Sequence, residues 1–189
     1  DIDRVVRLLR TALAQPETVR ALAVRSGPNP SRAEQAVWTA TALASLLGRR
    51  DASDPEGRRW LADTLAAVQA AAEAYRPDPD GGWNAVPGQP DPGRHNIYVT
   101  GLALHMLLAS RAADAGWRGD RARLDAMIGS TADWLAAAFV EGDAPGWRRG
   151  PGDDRPPDSG ITLLIYSALG RACSEFGWAP PARIRDGAL

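Results

Sequence analysis

A weak internal repeat of about 61 residues constrains the fold of this chain more than any other feature. Shifting the sequence by that length places Val37-Trp38-Thr39-Ala40 on Tyr98-Val99-Thr100-Gly101, and a second shift places Thr100 on Ile161. Repeats of this length are built from one supersecondary unit, here a helical hairpin, which is stacked because it cannot bury its apolar face alone. The repeat therefore predicts an array of helical hairpins.

The apolar pattern predicts two kinds of helix that alternate along the chain. Helices of the first kind are apolar over a wide arc, as expected for buried helices, and they are predicted at 31–48, 96–113 and 159–176. Helices of the second kind carry a polar face and are predicted at 1–15, 55–75 and 120–140. No segment shows the period-2 alternation of a strand. We therefore expect an all-α fold, an antiparallel α/α-hairpin array with inner and outer helices and the curvature of a partial toroid.

Two loops rich in Pro, Gly and Asp, at 76–94 and 141–157, join outer helices to inner ones. Glycine precedes a tryptophan after several predicted helix ends, and these tryptophans are expected to fill the gaps between hairpins. They are Trp83, Trp117, Trp147 and Trp178. We expect one domain over 1–189, with a tail at 179–189 that begins Pro-rich and then frays.

Composition excludes several classes of function. The formal net charge is -1 and the sequence has no Lys, so no basic surface is indicated for nucleic acid. Neither a membrane-span pattern nor a signal peptide is present, which predicts a cytoplasmic protein. The lone Cys173 excludes an internal disulfide and a Cys-rich metal site, and we expect no metal and no cofactor. The heavy use of Ala and Arg indicates a bacterial, GC-rich source, and the start at Asp1 suggests an excised domain or a processed product.

Two motifs resemble the α/α toroid of terpene cyclases, squalene-hopene cyclases and prenyltransferase β subunits. Asp80-Gly81-Gly82-Trp83 is similar to the motif that closes an outer helix in such repeats, and Tyr98-Val99-Thr100-Gly101-Leu102-Ala103-Leu104 is similar to their inner-helix motif. Ser159-Gly160-Ile161-Thr162-Leu163-Leu164 looks like another inner-helix start. The resemblance covers 31–178 and implies about half a toroid. An uncovered inner surface must then meet another domain, a second copy of the chain or a ligand.

The catalytic motifs of these families are incomplete in this chain. Protonating cyclases share Asp-x-Asp-Asp, but Asp78-Pro79-Asp80 is followed by Gly81. Ionising synthases carry Asp-Asp-x-x-Asp on a helix, whereas Asp153-Asp154-Arg155-Pro156-Pro157-Asp158 has one residue too many and two prolines that prevent a helix. The prenyltransferase zinc site needs Asp two residues before Cys, and Arg171 stands there before Cys173.

Three residues remain as candidates for catalysis: His95, Tyr98 and Asp158. Arg94-His95-Asn96 and Tyr98 together supply the residue types with which α/α-toroid polysaccharide lyases neutralise a uronate and remove its proton. In the alternative interpretation, His95 and Asn96 cap a helix, Tyr98 packs at its end, and Asp158 caps the last inner helix.

The sequence favours a non-catalytic module that binds an apolar ligand, a peptide, a partner domain or a second protomer on its concave face. The side chains predicted to contact the ligand are Trp38, His105, Tyr166, Trp83 and Trp147. A lone histidine on an inner helix is also typical of a hydrogen-bonded core residue. Two alternatives stay open: an enzyme, either part of an isoprenoid cyclase-like toroid or a carbohydrate-active lyase or hydrolase, and a structural spacer.

Overall fold

The structure, a computed structural model, describes residues 2–12, 31–49, 55–76, 80–85, 96–150 and 152–187. The helices among these residues are α1 (Ile2–Ala12), α2 (Ser31–Leu47), α3 (Pro55–Ala72), α4 (Ile97–Ala112), α5 (Arg121–Ala137), α6 (Ser159–Arg171) and α7 (Ala182–Gly187). A 3-10 turn, Glu73–Tyr75, extends α3, and a π-helical turn, Ala172–Phe176, extends α6. The described residues contain no strand, so the predicted all-α fold is confirmed.

Capping side chains fix the starts of α4, α5 and α6. Asn96 accepts a hydrogen bond from the backbone N–H of Val99, and Asp120 accepts one from Arg123. Asp158 accepts from both Gly160 and Ile161. Each carboxylate or amide oxygen satisfies N–H groups that have no partner within the helix. These helices therefore begin within one or two residues of their predicted starts.

The inner helices α2, α4 and α6 lie side by side with α4 in the middle, and the outer helices α3 and α5 pack behind α2 and α4. Twelve of the 16 residues of α4 are buried, which explains why its apolar residues surround the helix. Gly101 permits the close approach of α4 and α6, because a Cβ atom there would lie 3.1 Å from Cγ1 of Ile165. The contacts among α2, α4 and α6 and the burial of α4 fit the predicted inner layer, but only four of the 13 residues of α6 are buried, so the burial expected for that helix is not found. Toroidal curvature stays a prediction.

The tryptophans that follow glycine lie in the core, as predicted. Trp83, Trp117 and Trp147 have no exposed surface, and Trp178 is 9% exposed. The Trp83 ring stands edge-on to that of Trp117, with centroids 6.2 Å apart, and Trp147 stands edge-on to Phe139 at 4.9 Å. Such large aromatic side chains contribute much of the buried apolar area that holds the hairpins together.

Two of these tryptophans close their loops onto the following inner helix with the same hydrogen bonds. In the first clasp, the backbone N–H of Trp83 donates to Oγ1 of Thr100 (3.0 Å), and its carbonyl accepts from the N–H of Asn96 (2.8 Å). In the second clasp, Trp147 makes the same bonds to Thr162 (3.0 Å) and Asp158 (2.9 Å). Each clasp satisfies backbone groups that burial would otherwise leave unpaired.

The clasps correct the register of the sequence repeat. The structural counterpart of Thr100 is Thr162, whereas the fixed shift placed Thr100 on Ile161. Thr100 and Thr162 are 62 positions apart, one more than the shift. The second loop is the shorter one, since Trp83 and Thr100 are 17 positions apart while Trp147 and Thr162 are 15 apart, but additional residues before Trp147 outweigh that difference. A constant shift cannot follow an insertion, and the error moves the aligned residue to another face of the helix.

The C-terminal tail forms the short helix α7 where the structure describes it, which the sequence pattern did not predict. Pro180 and Pro181 precede α7, and proline is favoured at the start of a helix. Ile184 is 4% exposed, and Nη2 of Arg183 donates to the carbonyl of Ala136 at the end of α5 (3.1 Å). One buried apolar residue and this hydrogen bond fasten the tail to the outer layer.

Candidate ligand groove

A cavity of about 590 Å³ opens between the first turns of the three inner helices. Volumes of this size are typical of sites for small molecules. The side chains and backbone that line it belong to Glu34, Trp38, Asn96, Tyr98, Leu102, Arg149, Asp158, Gly160, Ile161 and Leu164. We call this cavity the groove.

The hairpin topology explains why residues so distant in sequence meet here. Inner helices separated by one antiparallel outer helix run parallel, so their first turns lie at the same end of the layer. Each inner helix contributes a pair of residues spaced by one helical turn, which places both members on one face. The pairs are Glu34 and Trp38 on α2, Tyr98 and Leu102 on α4, and Gly160 and Leu164 on α6.

Trp38 is the most exposed aromatic side chain of the groove, at 53%. Leu102 and Ile161 are buried beside it, and Leu164 is half-buried. The groove therefore has an apolar floor and one large aromatic side chain that water still reaches. Exposed tryptophan is uncommon on protein surfaces and enriched where partners bind.

Tyr98 lies half-buried at the start of α4. Partial burial raises the pKa of its phenol, and the nearby carboxylate of Glu34 raises it further. The phenol therefore stays protonated near neutral pH, where it can donate a hydrogen bond but is not available as a general base.

Asp158 lines the groove as a fully hydrogen-bonded carboxylate. Oδ1 accepts from the N–H groups of Gly160 (3.0 Å) and Ile161 (3.1 Å), and Oδ2 accepts from Nε and Nη2 of Arg149 (3.2 and 3.1 Å). The N–H of Ile161 is the largest cause of its lowered pKa, and Arg149 adds to it. Asp158 thus serves as the predicted helix cap and holds Arg149 at the edge of the groove.

The remaining acidic candidates form turns and ion pairs. Asp80 is exposed and accepts from the N–H of Gly82, which closes a turn. Asp153 pairs with the guanidinium of Arg155 (2.8 Å), and the hydrogen bonds from Arg155 lower the pKa of Asp153 to about 2. Asp78 and His95 lie outside the described residues. The loop around Asp153 is therefore an ion-paired turn, as expected where prolines prevent a helix.

His105 joins α4 to α6 beneath the groove. Its Nε2 lies 3.4 Å from the carbonyl oxygen of Leu164, and its Nδ1 lies 3.3 Å from Nη1 of Arg171. Burial lowers the pKa of His105, the carbonyl of Leu164 raises it, and the charge of Arg171 lowers it. The histidine acts as a hydrogen-bonded link between helices, and it does not line the groove.

Of the five side chains predicted to contact a ligand, the groove includes Trp38 alone. Tyr166 packs edge-on against Trp147, with centroids 5.0 Å apart, and Trp83 is enclosed by the core. Sequence reasoning did not single out Glu34, Leu102 or Leu164 for this role. In the sequence, these residues are marked only by their spacing of one helical turn from another groove residue at the start of each inner helix. That spacing becomes informative once the three helices are known to run parallel.

Metal ligands do not cluster in the part of the chain that the structure describes: no group of three or more His, Cys, Asp or Glu side chains is placed to hold an ion there. Within the same residues, every helix is too short or too polar to cross a membrane. The side chains that line the groove are aromatic, aliphatic, amide, guanidinium and carboxylate groups.

Comparisons with known proteins gave no match: no protein-family model, curated protein or solved structure is similar to this chain. The resemblance to terpene cyclases and prenyltransferases stays a prediction. Because many unrelated functions share one fold, the function has to be argued from the groove itself.

Proposed function

We propose that this protein is a non-catalytic binding module whose groove takes an apolar ligand. The observation that carries the proposal is Trp38, which stands half-exposed at an open cavity floored by Leu102 and Leu164. Covering these side chains with an apolar ligand removes their surface from water, at roughly 25 cal/mol for each Å². We further propose a bacterial, cytoplasmic protein in which the inner helices curve as part of a toroid.

The polar side chains of the groove support binding over catalysis. A cyclase-like or lyase-like enzyme needs a group that gives or takes a proton near neutral pH. Asp158 is an ionised cap with a lowered pKa, and Tyr98 is a protonated phenol with a raised one. An ionised Asp158 cannot supply the proton that a protonating cyclase needs, and a protonated Tyr98 cannot act as the base of a lyase.

The size of the groove favours a small molecule over a partner domain or a second protomer. A volume of about 590 Å³ accommodates a compact ligand, whereas stable protein interfaces bury about 800 Å² on each side and are flatter. The small ligand is therefore the occupant that we propose, and a bound partner is an outcome that the experiment below detects.

The test is a titration with N-phenyl-1-naphthylamine, a neutral apolar dye that fluoresces more strongly in apolar surroundings. We expect saturable binding to the wild type and binding weakened about tenfold or more in Trp38→Ala, because truncation of a central aromatic contact costs at least ~1.4 kcal/mol. Leu8→Ala is the matched control, since Leu8 is an apolar side chain on α1 with 62% exposure. Native mass spectrometry of the same samples reports whether a second protomer is present.

Two results would overturn the proposal. One is a wild type that shows no saturable binding, or a Trp38→Ala variant that binds as well as Leu8→Ala does. The other is turnover of an isoprenoid diphosphate or a uronate polymer that disappears in Asp158→Ala, which would establish the enzyme instead.

A further inference from the structure

The charged side chains of the groove do not balance. Arg149 is ion-paired with Asp158 at 3.1 Å, so these two charges largely cancel. Glu34 also lines the groove, and the ion pairs found among the described residues do not include it. The lining therefore carries one net negative charge, on a half-buried side chain at the wall formed by α2.

Two aromatic side chains stand beside that carboxylate. Trp38 follows Glu34 by one helical turn and shares its face of α2. Tyr98 lies close enough for the Glu34 carboxylate to raise the pKa of its phenol. A carboxylate and two aromatic side chains in one groove form a combination that attracts organic cations, because the carboxylate and the faces of aromatic rings are negative.

We propose that the groove binds a small organic cation, an ammonium group attached to an apolar body. The ammonium lies beside Glu34 and against the rings of Trp38 and Tyr98, while the apolar body covers Leu102 and Leu164. This inference rests on the proposed function and names the chemistry of its ligand.

An anionic ligand is the rival occupant, because the first turns of α4 and α6 face the same volume. Helix N-termini carry partial positive charge and attract anions. In this protein, however, Asn96 accepts the N–H of Val99, Asp158 accepts those of Gly160 and Ile161, and Arg149 is held by Asp158. The positive charge at the start of α6 and on Arg149 therefore already faces the carboxylate of Asp158, whereas Glu34 forms no ion pair among the described residues.

Three probes that share a naphthalene body separate these possibilities: 1-naphthylmethylammonium, 1-naphthalenemethanol and 1-naphthylacetate. We expect isothermal titration calorimetry of the full chain at neutral pH to rank the ammonium first, about tenfold tighter than the neutral alcohol, with the acetate weakest. Cation–π contacts and one partly exposed ion pair together account for a factor of this size.

The variant that isolates the charge is Glu34→Gln, which keeps the shape of the side chain. We expect it to abolish the preference for the ammonium while the affinity for the alcohol stays within about twofold. Glu141→Gln is the matched control, because Glu141 is exposed and does not line the groove.

Each pattern of results has a separate meaning. Equal affinities for the three probes, tightest binding of the acetate, or an ammonium preference that survives Glu34→Gln would overturn the cation site and leave the apolar binding module standing. Failure of all three probes to bind, together with failure of the neutral dye, would overturn both proposals.

Discussion

The two Trp clasps make the same backbone hydrogen bonds, yet the threonine of the first clasp is fully buried and that of the second is partly exposed. Thr100 of the first clasp is fully buried, and the indole of Trp83 donates to Oγ1 of Thr131. Thr162 of the second clasp is half-exposed, and the indole of Trp147 donates to the carbonyl of Leu135. The two clasps therefore share the hydrogen bonds that close the loop, and they differ in burial and in the partner of the indole.

The caps of the helices that follow the two clasps differ in charge. Asn96 caps α4 with a neutral amide, whereas Asp158 caps α6 with a carboxylate that also holds Arg149. Both caps line the groove, but only the second brings charge to it. One change of side chain at equivalent positions therefore alters the electrostatics of the site while the fold stays the same.

The largest effect is expected from removing the indoles of the two clasps. Trp83→Ala and Trp147→Ala each leave a large cavity, because both side chains are fully buried, and each should lower the free energy of unfolding by about 3–5 kcal/mol. Trp38→Ala, at a half-exposed position, should lower it by less than about 1 kcal/mol. Urea denaturation followed by circular dichroism measures all three. A Trp147→Ala variant as stable as Trp38→Ala would show that the second clasp is not part of the core.

A smaller effect is expected from removing the threonine hydroxyl groups that accept hydrogen bonds from the backbone N–H groups of Trp83 and Trp147. Thr100→Val keeps the side-chain shape but leaves the N–H of Trp83 unpaired in the core, and should cost about 1–3 kcal/mol in the free energy of unfolding. Thr162→Val should cost less, because water reaches that clasp.

The matched control for both variants is Thr41→Val. The hydroxyl of Thr41 donates only to the carbonyl of Val37 within α2, so its loss should change the free energy of unfolding by no more than about 0.5 kcal/mol. Equal losses in Thr100→Val and Thr162→Val would contradict the difference in burial between the clasps.

The smallest expected effect is on the pH dependence of stability. It distinguishes the charged cap, Asp158, from the neutral cap, Asn96. The pKa of Asp158 is lower in the folded protein, so its contribution to stability is present above the unfolded pKa of about 4 and is lost as the pH falls through the folded value. The stability difference between the wild type and Asp158→Ala should therefore shrink below about pH 4. The corresponding difference for Asn96→Ala should not depend on pH in this way. Urea denaturation at neutral and at acidic pH checks this, and identical pH profiles for the two variants would refute it.

The sequence predicted those parts of the fold that depend on neighbouring residues. The start of α4 at Asn96 and that of α6 at Asp158 follow from a capping residue placed before an apolar run, and these predictions are confirmed. The register between repeats was one residue off at Thr162, because a fixed shift cannot follow insertions and deletions between the repeats. The helix α7 was missed, because prolines such as Pro180 and Pro181 are as common in loops as at the start of a helix.

The groove was harder to predict because it depends on how separate helices are rotated against each other. Trp38 lines the groove, as predicted. Trp147 was also predicted to contact the ligand, but its ring is buried and packs against Phe139 and Tyr166. Glu34 supplies negative charge to the groove, and its proximity to Tyr98 on another helix is visible only in the structure. Local patterns carry no information about such contacts.

The groove is walled by α2, α4 and α6, which belong to separate hairpins. An occupant therefore acts as a non-covalent cross-link, since it contacts all three at once and is released when any one of them separates. Binding of this kind adds its free energy to the stability of the whole chain, about 2.7 kcal/mol at a ligand concentration one hundred times the Kd. For a chain of this size, that gain raises the melting temperature by several degrees. The melting temperature can therefore serve as the readout of a ligand screen in which the ligand need not be known beforehand.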